Sequence, residues 1–186
     1  MITEARFRVV LKDMMKKLPL SEINVLGLCE RCGCHRQTFY YHYQDIYDLL
    51  AEIFLHEELP ELDAAQDGLG VMLGLRDYVV ENYSFLVASF DSAARELTED
   101  FLKGKAENKF IALWAKPDKP IGLRKEGARH VAKMMARLLV EEFCTHFRDP
   151  KGNKEKLYRK TRPTIVDLDH YVFPALVEMC KKEEAR

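Results

Sequence analysis

The sequence predicts an all-α protein with a small N-terminal helical head, residues 1–48, and a larger helical body, residues 49–186. Apolar residues recur at three- and four-residue spacing along most of the chain, which is the period of an amphipathic helix. Alternation of the strand type does not reach a useful length, and no internal repeat is found. With 186 residues, 47% of them hydrophobic, the chain is long enough to bury a substantial core.

The head is predicted to begin with two helices. Thr3 is a candidate cap of the first helix, and proline ends that helix at Leu18-Pro19-Leu20. Its apolar positions are Phe7, Val10, Leu11, Met14 and Met15. Asn24 is expected to cap a short second helix, and Gly33 to close it in the left-handed conformation. The inward residues of the second helix are predicted to be Val25, Leu28 and Cys29.

A third short helix is expected over about residues 35–43, and Asp45 begins a fourth. The apolar side of the fourth helix carries Leu49, Leu50, Ile53 and Phe54. This order of two helices, a glycine turn and a third helix is the layout of a helix-turn-helix head. In such a head a short turn lets the third helix enter a DNA major groove.

The body is predicted to start with a loop after Pro60, followed by helices over about residues 69–82, 84–89 and 93–114. Residues 116–120, with two prolines, form a predicted break. A long amphipathic helix is expected over residues 126–147, and its apolar face carries Val131, Met134, Met135, Leu138, Leu139 and Phe143. A turn and a basic run to Arg162 that extends into solvent are expected to follow. The final helix is expected from about Thr164, kinked by Pro174.

Charge alone does not favour nucleic-acid binding. The net charge is −1, from 29 basic and 30 acidic residues, and the first 50 residues hold seven basic against six acidic. No apolar run approaches the ~18–20 residues of a membrane span. The N-terminus lacks a basic stretch leading into an apolar one, so we expect a cytoplasmic protein whose five cysteines are thiols.

One stretch carries a specific resemblance. Residues 32–43 read CGCHRQTFYYHY and are followed by Tyr47-Asp48-Leu49-Leu50. This pattern closely resembles the signature of TetR-family transcription regulators, over about residues 5–55. The body resembles, more weakly, the subgroup that includes regulators of dihydroxyacetone kinase operons, through Leu75-Arg76-Asp77-Tyr78 to Phe85.

The resemblance implies a role in DNA binding for seven residues: Asn24, Arg36, Gln37, Thr38, Tyr40, Tyr41 and His42. Arg36 and Gln37 fall where the family reads bases, a guanine edge and an adenine respectively. Thr38 and Tyr40 would contact the DNA backbone, and Tyr41 would press on a sugar or a thymine methyl. His42 would lie near a phosphate or pack beneath the recognition helix. Asn24 would aim backbone N–H groups at a phosphate.

Two positions depart from the family pattern. The family commonly has a lysine near the start of the fourth helix, where this chain has Ile46, and often a basic residue where it has Leu26. Both changes lower the attraction for phosphate. DNA binding would then be weak, unusually salt-sensitive, or dependent on Arg6, Arg8 and Lys12.

The cysteines of the head allow two interpretations. Cys29, Cys32, Cys34 and His35 include a CxxC pair, which is a familiar zinc-ligand spacing. Cys29 and Cys34 also occupy positions where the head needs small apolar residues, and a buried thiol serves as one. Packing is the stronger interpretation, and no metal or cofactor is predicted; a redox or metal-sensing role is the alternative.

Six residues of the body are candidates to line an effector cavity: Tyr83, Phe85, Phe90, Phe110, Trp114 and Met134. Aromatic residues at helical spacing also suit an ordinary core. The last two long helices have broad apolar faces, which in this family form a four-helix dimer interface. The alternative is that both helices complete the core of a monomer.

Together these observations predict a homodimeric regulator, a repressor, which binds a palindromic double-stranded DNA operator and is released by an effector of unknown identity. The alternative is an interaction protein, or co-regulator, of the same fold with a weakened head. No nucleophile, acid–base pair or phosphate loop is recognisable, so an enzyme is not expected.

Overall fold

The computed structural model describes residues 4–114 and 121–185. Thr3 and the predicted break at 116–120 therefore lie outside the described residues. Helices occupy most of the described ranges, and no strand is found in them, so the all-α prediction is confirmed. Within these ranges no helix combines the length and the apolar character that crossing a bilayer demands.

In chain order the α-helices are α1 (Glu4–Met15), α2 (Val25–Cys32), α3 (Arg36–His42), α4 (Ile46–His56), α5 (Pro60–Ala64), α6 (Gly68–Glu81), α7 (Tyr83–Phe90), α8 (Arg95–Trp114), α9 (Lys125–Phe147), α10 (Lys154–Asp167) and α11 (Phe173–Glu184). A 3₁₀ turn, Leu20–Glu22, precedes α2, and a π-helical segment, Leu168–Val172, joins α10 to α11.

The chain folds into two compact units. The first comprises the described residues up to Glu58 together with Asn82–Phe101, and the second comprises Leu59–Glu81 with the described residues from Leu102 onward. The predicted head, residues 1–48, lies in the first unit, which also takes up residues 49–58 and 82–101. The domain boundary after residue 48 stays a prediction.

In the first unit, α1 packs against α2, α4 and α7, and α2 packs against α3. The apolar positions predicted for α1 and α4 are buried, except Val10, which is half-buried. In α2, Leu28 and Cys29 are buried as predicted, whereas Val25 is half-buried. The sequence pattern therefore identified most of the core of the head.

The second unit is built from α6 on α5 and α10, and from α9 on α10 and α11. The buried face of α9 includes Val131, Met135, Leu139 and Phe143, as its amphipathic pattern predicts. Leu138, placed on the same face by the sequence, is exposed instead.

Two segments of the body were predicted wrongly. The predicted loop after Pro60 contains α5, in which Pro60 occupies the first turn and acidic residues complement the helix dipole. The basic run to Arg162, predicted as a solvated extension, lies within α10. Asn153 caps α10 by accepting a hydrogen bond from the Lys156 N–H (2.8 Å), and Leu157 and Thr161 are buried.

The proline kink also differs in detail from the prediction. Pro174 lies in the first turn of α11, directly after the π-helical segment, and Pro163 lies inside α10. A π segment is itself a recognised cause of helix distortion, because it inserts a residue into the hydrogen-bond ladder.

Candidate nucleic-acid interface

Phe39 fixes the orientation of α3 in the head. Its side chain is fully buried, and its ring centroid lies 5.6 Å from that of Phe7 on α1 and 5.4 Å from that of Tyr43. The contact with Phe7 is edge-to-face, and such a contact adds about 0.5–1.5 kcal/mol to the burial of the rings. With Phe39 held inside, the opposite side of α3 faces solvent.

The outer face of α3 carries the side chains that the sequence assigned to DNA. Arg36 and Gln37 are exposed. Tyr40 and Tyr41 are 57% and 86% exposed, which is unusual for large aromatic side chains within a packed head. Thr38 is half-buried, and its backbone N–H donates to the carbonyl of His35 (2.9 Å). Four of the seven predicted residues therefore form one polar and aromatic surface.

His42 lies at the end of α3 and joins it to α1. Its Nδ1 is 3.1 Å from a carboxylate oxygen of Glu4, and its ring packs near Phe7 and edge-to-face on Tyr41. Of the two positions that the family resemblance allows, packing beneath the recognition helix agrees with these contacts.

Two helix N-termini border a groove beside α3. Asn24 caps α2 by accepting from the Gly27 N–H (2.9 Å), as predicted, and Asp45 caps α4 by accepting from the N–H groups of Tyr47 (2.8 Å) and Asp48 (2.9 Å). The groove has a volume of about 610 Å³. Its lining residues are Leu20, Ser21, Ile23, Asn24, Val25, Leu26, Arg36, Tyr40, Asp45, Ile46 and Tyr47.

The two departures from the family pattern both line this groove. Leu26 is half-exposed, whereas Ile46 is almost fully buried. Helix N-termini attract anions through their free N–H groups and the helix dipole. Here those N–H groups lie among apolar side chains and beside the Asp45 carboxylate, so the groove attracts phosphate less strongly than one lined by lysine.

Two basic residues of α1, Arg8 and Lys12, are half-buried and form ion pairs. Arg8 forms an ion pair with Glu52, and Lys12 forms one with Glu57 and also lies over the ring of Phe85. Two of the three residues expected to compensate for the missing basic residues are thus neutralised by Glu52 of α4 and by Glu57, which follows it. The third, Arg6, is exposed.

Burial affects the thiols and one phenol of the head. Cys29 and Cys32 are buried and Cys34 is half-buried. Burial raises the pKa of the Cys29 thiol to about 12, and it also raises the pKa of Cys32. Burial likewise raises the pKa of Tyr43, with the Glu52 carboxylate adding to the effect. Among the described residues, no group of three His, Cys, Asp or Glu side chains is placed to hold a metal ion.

The six candidate effector residues divide between the two units. Tyr83, Phe85 and Phe90 belong to the first, and Phe110, Trp114 and Met134 belong to the second. The Phe85 ring packs on Phe54 (5.6 Å), whereas Trp114 stacks between Phe110 (4.9 Å) and Phe173 (5.0 Å). These contacts give the aromatic residues a packing role, and their role in effector binding stays a prediction.

Sequence reasoning missed Tyr47 as a residue of the candidate interface. Tyr47 is 42% exposed and lines the groove from the first turn of α4. The sequence could have identified Tyr47, because it lies two residues after the capping Asp45. That position is in the open N-terminal turn of the helix and not on its apolar side.

No family model and no curated protein sequence matches this chain significantly. A solved structure, that of the dihydroxyacetone kinase operon activator DhaS, is similar with a TM-score of 0.61 and 23% sequence identity. The similarity covers 96% of this chain and 98% of that one, so the two proteins share a fold over nearly their whole length.

Proposed function

We propose that this chain is a one-component transcription regulator, a repressor, that binds a palindromic operator as a homodimer and is released by an effector bound in the C-terminal body. The observation that carries the proposal is the outer face of α3, where Arg36, Gln37, Tyr40 and Tyr41 are exposed on a helix anchored by Phe39. A major groove admits one helix, and these are side-chain types that read base edges or contact sugar and thymine.

The fold shared with DhaS supports the regulator class, since that protein is named as an operon activator. The repressor role of this chain rests on the sequence resemblance. A reporter gene placed behind the promoter of its own operon distinguishes a repressor from an activator, because a repressor lowers reporter output and an activator raises it.

Exposed apolar side chains on the last helices support the homodimer. They are Leu138, Tyr158, Val166, Tyr171 and Met179, on α9, α10, the π-helical segment and α11. Tyr158 and Val166 are eight residues apart, and so are Tyr171 and Met179. An eight-residue spacing places two side chains on the same face of a helix. A second copy covering this surface would remove it from water, and a two-fold dimer would present two heads to a palindrome.

A second candidate function is that of a co-regulator that binds a partner protein instead of DNA. The groove between the N-termini of α2 and α4 favours it, because Leu26 and Ile46 stand where basic residues would attract phosphate. The ion pairs of Arg8 with Glu52 and of Lys12 with Glu57 also favour it, because they neutralise two basic residues of the head.

The deciding experiment is a binding titration against the DNA flanking the protein's own gene, with salt varied and with unrelated duplex as competitor. We expect Arg36→Ala to weaken specific binding by about 1–3 kcal/mol, which is roughly 5- to 150-fold, without changing thermal stability, because Arg36 is exposed.

Arg31→Ala is the matched control. It removes the same charge from an exposed position in the last turn of α2 and should change the affinity much less. Binding that is indifferent to sequence and equally affected by both substitutions would refute base reading by α3 and favour the co-regulator.

A further inference from the structure

The turn between α2 and α3 brings two cysteines together. Gly33 has a φ of 71°, and its N–H donates to the carbonyl of Glu30, while the Cys34 N–H donates to the carbonyl of Cys29 (3.0 Å). This pair of bonds defines the Schellman motif, in which the side chain after the glycine contacts the one in the last turn of the helix. In this chain those two positions are occupied by Cys34 and Cys29, so the motif brings two thiols together.

The two thiols differ in access. Cys34 is half-buried and can be reached from solvent, whereas Cys29 is 1% exposed. The buried Cys29 thiol is protonated at neutral pH and does not react with a dissolved oxidant. The backbone bond from the Cys34 N–H to the Cys29 carbonyl holds the two residues side by side, however, so Cys29 is positioned to react with a sulfur that has already been oxidised at Cys34.

We infer that Cys34 and Cys29 form an oxidisable dithiol that controls the position of α3, an inference that rests on the proposed DNA-binding function. The oxidant class is a hydroperoxide, such as hydrogen peroxide. The Cys34 sulfur attacks one peroxide oxygen, the O–O bond breaks, and Cys34 sulfenic acid and one water are formed. The Cys29 sulfur then attacks the Cys34 sulfur, the S–O bond breaks, and the departing hydroxide takes the Cys29 proton as a second water.

The resulting disulfide changes the geometry at the start of the recognition helix. Two free thiols must approach each other to form an S–S bond of about 2.05 Å. Cys34 is two residues before Arg36, and the Arg36 charge is close enough to Cys29 to influence its thiol. Drawing Cys34 towards α2 therefore shifts Arg36 and Gln37 away from the bases that they read.

The test combines peptide mapping with DNA binding. The reduced full-length protein is treated with hydrogen peroxide, its remaining thiols are alkylated, and it is digested with trypsin. Cleavage after Arg31 separates residues 18–31, which contain Cys29, from residues 32–36, which contain Cys32 and Cys34. We expect these two peptides joined by a disulfide, and at least a tenfold loss of operator affinity that a thiol reductant reverses.

Three variants assign the bond. Cys32→Ser should retain both the cross-link and the loss of affinity, whereas Cys34→Ser and Cys34→Ala should lose both. Absence of the cross-link, its persistence without Cys34, or a bond within residues 32–36 would overturn the inference. A cross-link with no change in operator affinity would overturn the inference that the disulfide controls the position of α3. If the reduced protein binds no operator, the proposed function fails, and mapping still decides whether the dithiol forms.

Discussion

Gly33 has a φ of 71°, within the left-handed region that residues with a Cβ rarely adopt. No atom lies within 4 Å of a Cβ built at this position, so the cost of a side chain here is conformational rather than steric. Gly33→Ala should therefore lower the free energy of unfolding by about 1–2 kcal/mol. Denaturant unfolding followed by circular dichroism measures the change.

Gly104 provides the matched control. It lies inside α8, has equally open space around a built Cβ, and has no positive φ. Gly104→Ala should raise the free energy of unfolding by about 0.5–1 kcal/mol, because alanine loses less backbone entropy in a helix. A similar loss from both substitutions would contradict the conformational explanation.

Single residues with strong local preferences were the most predictable features of this chain. Asn24, Gly33 and Asp45 were identified from sequence as helix boundaries, and each makes the expected capping interaction or turn. Capping depends on hydrogen bonds within three or four residues, so it is readable from a short window. His42 was ambiguous because its partner Glu4 lies 38 residues away in the chain.

The N-terminus of α9 is capped by a residue of another helix. Arg124 supplies no side-chain cap, and its backbone N–H donates instead to both carboxylate oxygens of Glu184 (3.0 Å each), at the end of α11. A carboxylate at this position satisfies an orphan donor and complements the helix dipole. Glu184 thus ties the two helices together at one end.

Glu184→Ala should lower the free energy of unfolding by about 0.5–2 kcal/mol, the usual cost of removing a helix cap. Thermal and denaturant unfolding would both report it. Glu183→Ala removes the same charge from the neighbouring exposed position and should have little effect. Equal losses in the two variants would mean that net charge, rather than the cap, is responsible.

Elements were predicted well where apolar spacing was regular, as in α1, α4 and α9. The two failures, α5 and α10, share a cause. Most residues of α10 are charged or polar, and its buried side chains Leu157, Thr161 and Ile165 recur every four residues within that polar background. Because few apolar residues mark such a helix, its formation depends on the partner helices α6 and α9 that bury them.

At the scale of the whole molecule, the proposed dimer surface makes a direct prediction. Met179 is 61% exposed and would become buried at the interface. Met179→Glu places an unpaired carboxylate there, which costs on the order of 3 kcal/mol and raises the dimer dissociation constant about a hundredfold. Sedimentation velocity over a range of concentrations measures the shift towards monomer.

Leu55→Glu is the comparison for Met179→Glu. Leu55 is also an exposed apolar side chain, but it lies on α4 in the first unit, whereas Met179 lies on α11 in the second. This variant should sediment like the wild-type protein. Dissociation caused by Leu55→Glu alone would place the interface on the head instead.

The sequence by itself determined the helical class, most helix boundaries and the position of α3 after the glycine turn, because periodicity, caps and the glycine turn are local properties. Only the tertiary structure decided which basic side chains of the head are held in ion pairs. Arg8 and Lys12 are neutralised by Glu52 and Glu57, which are 44 and 45 residues away. Such pairings depend on how distant helices pack, so no short window of sequence contains them.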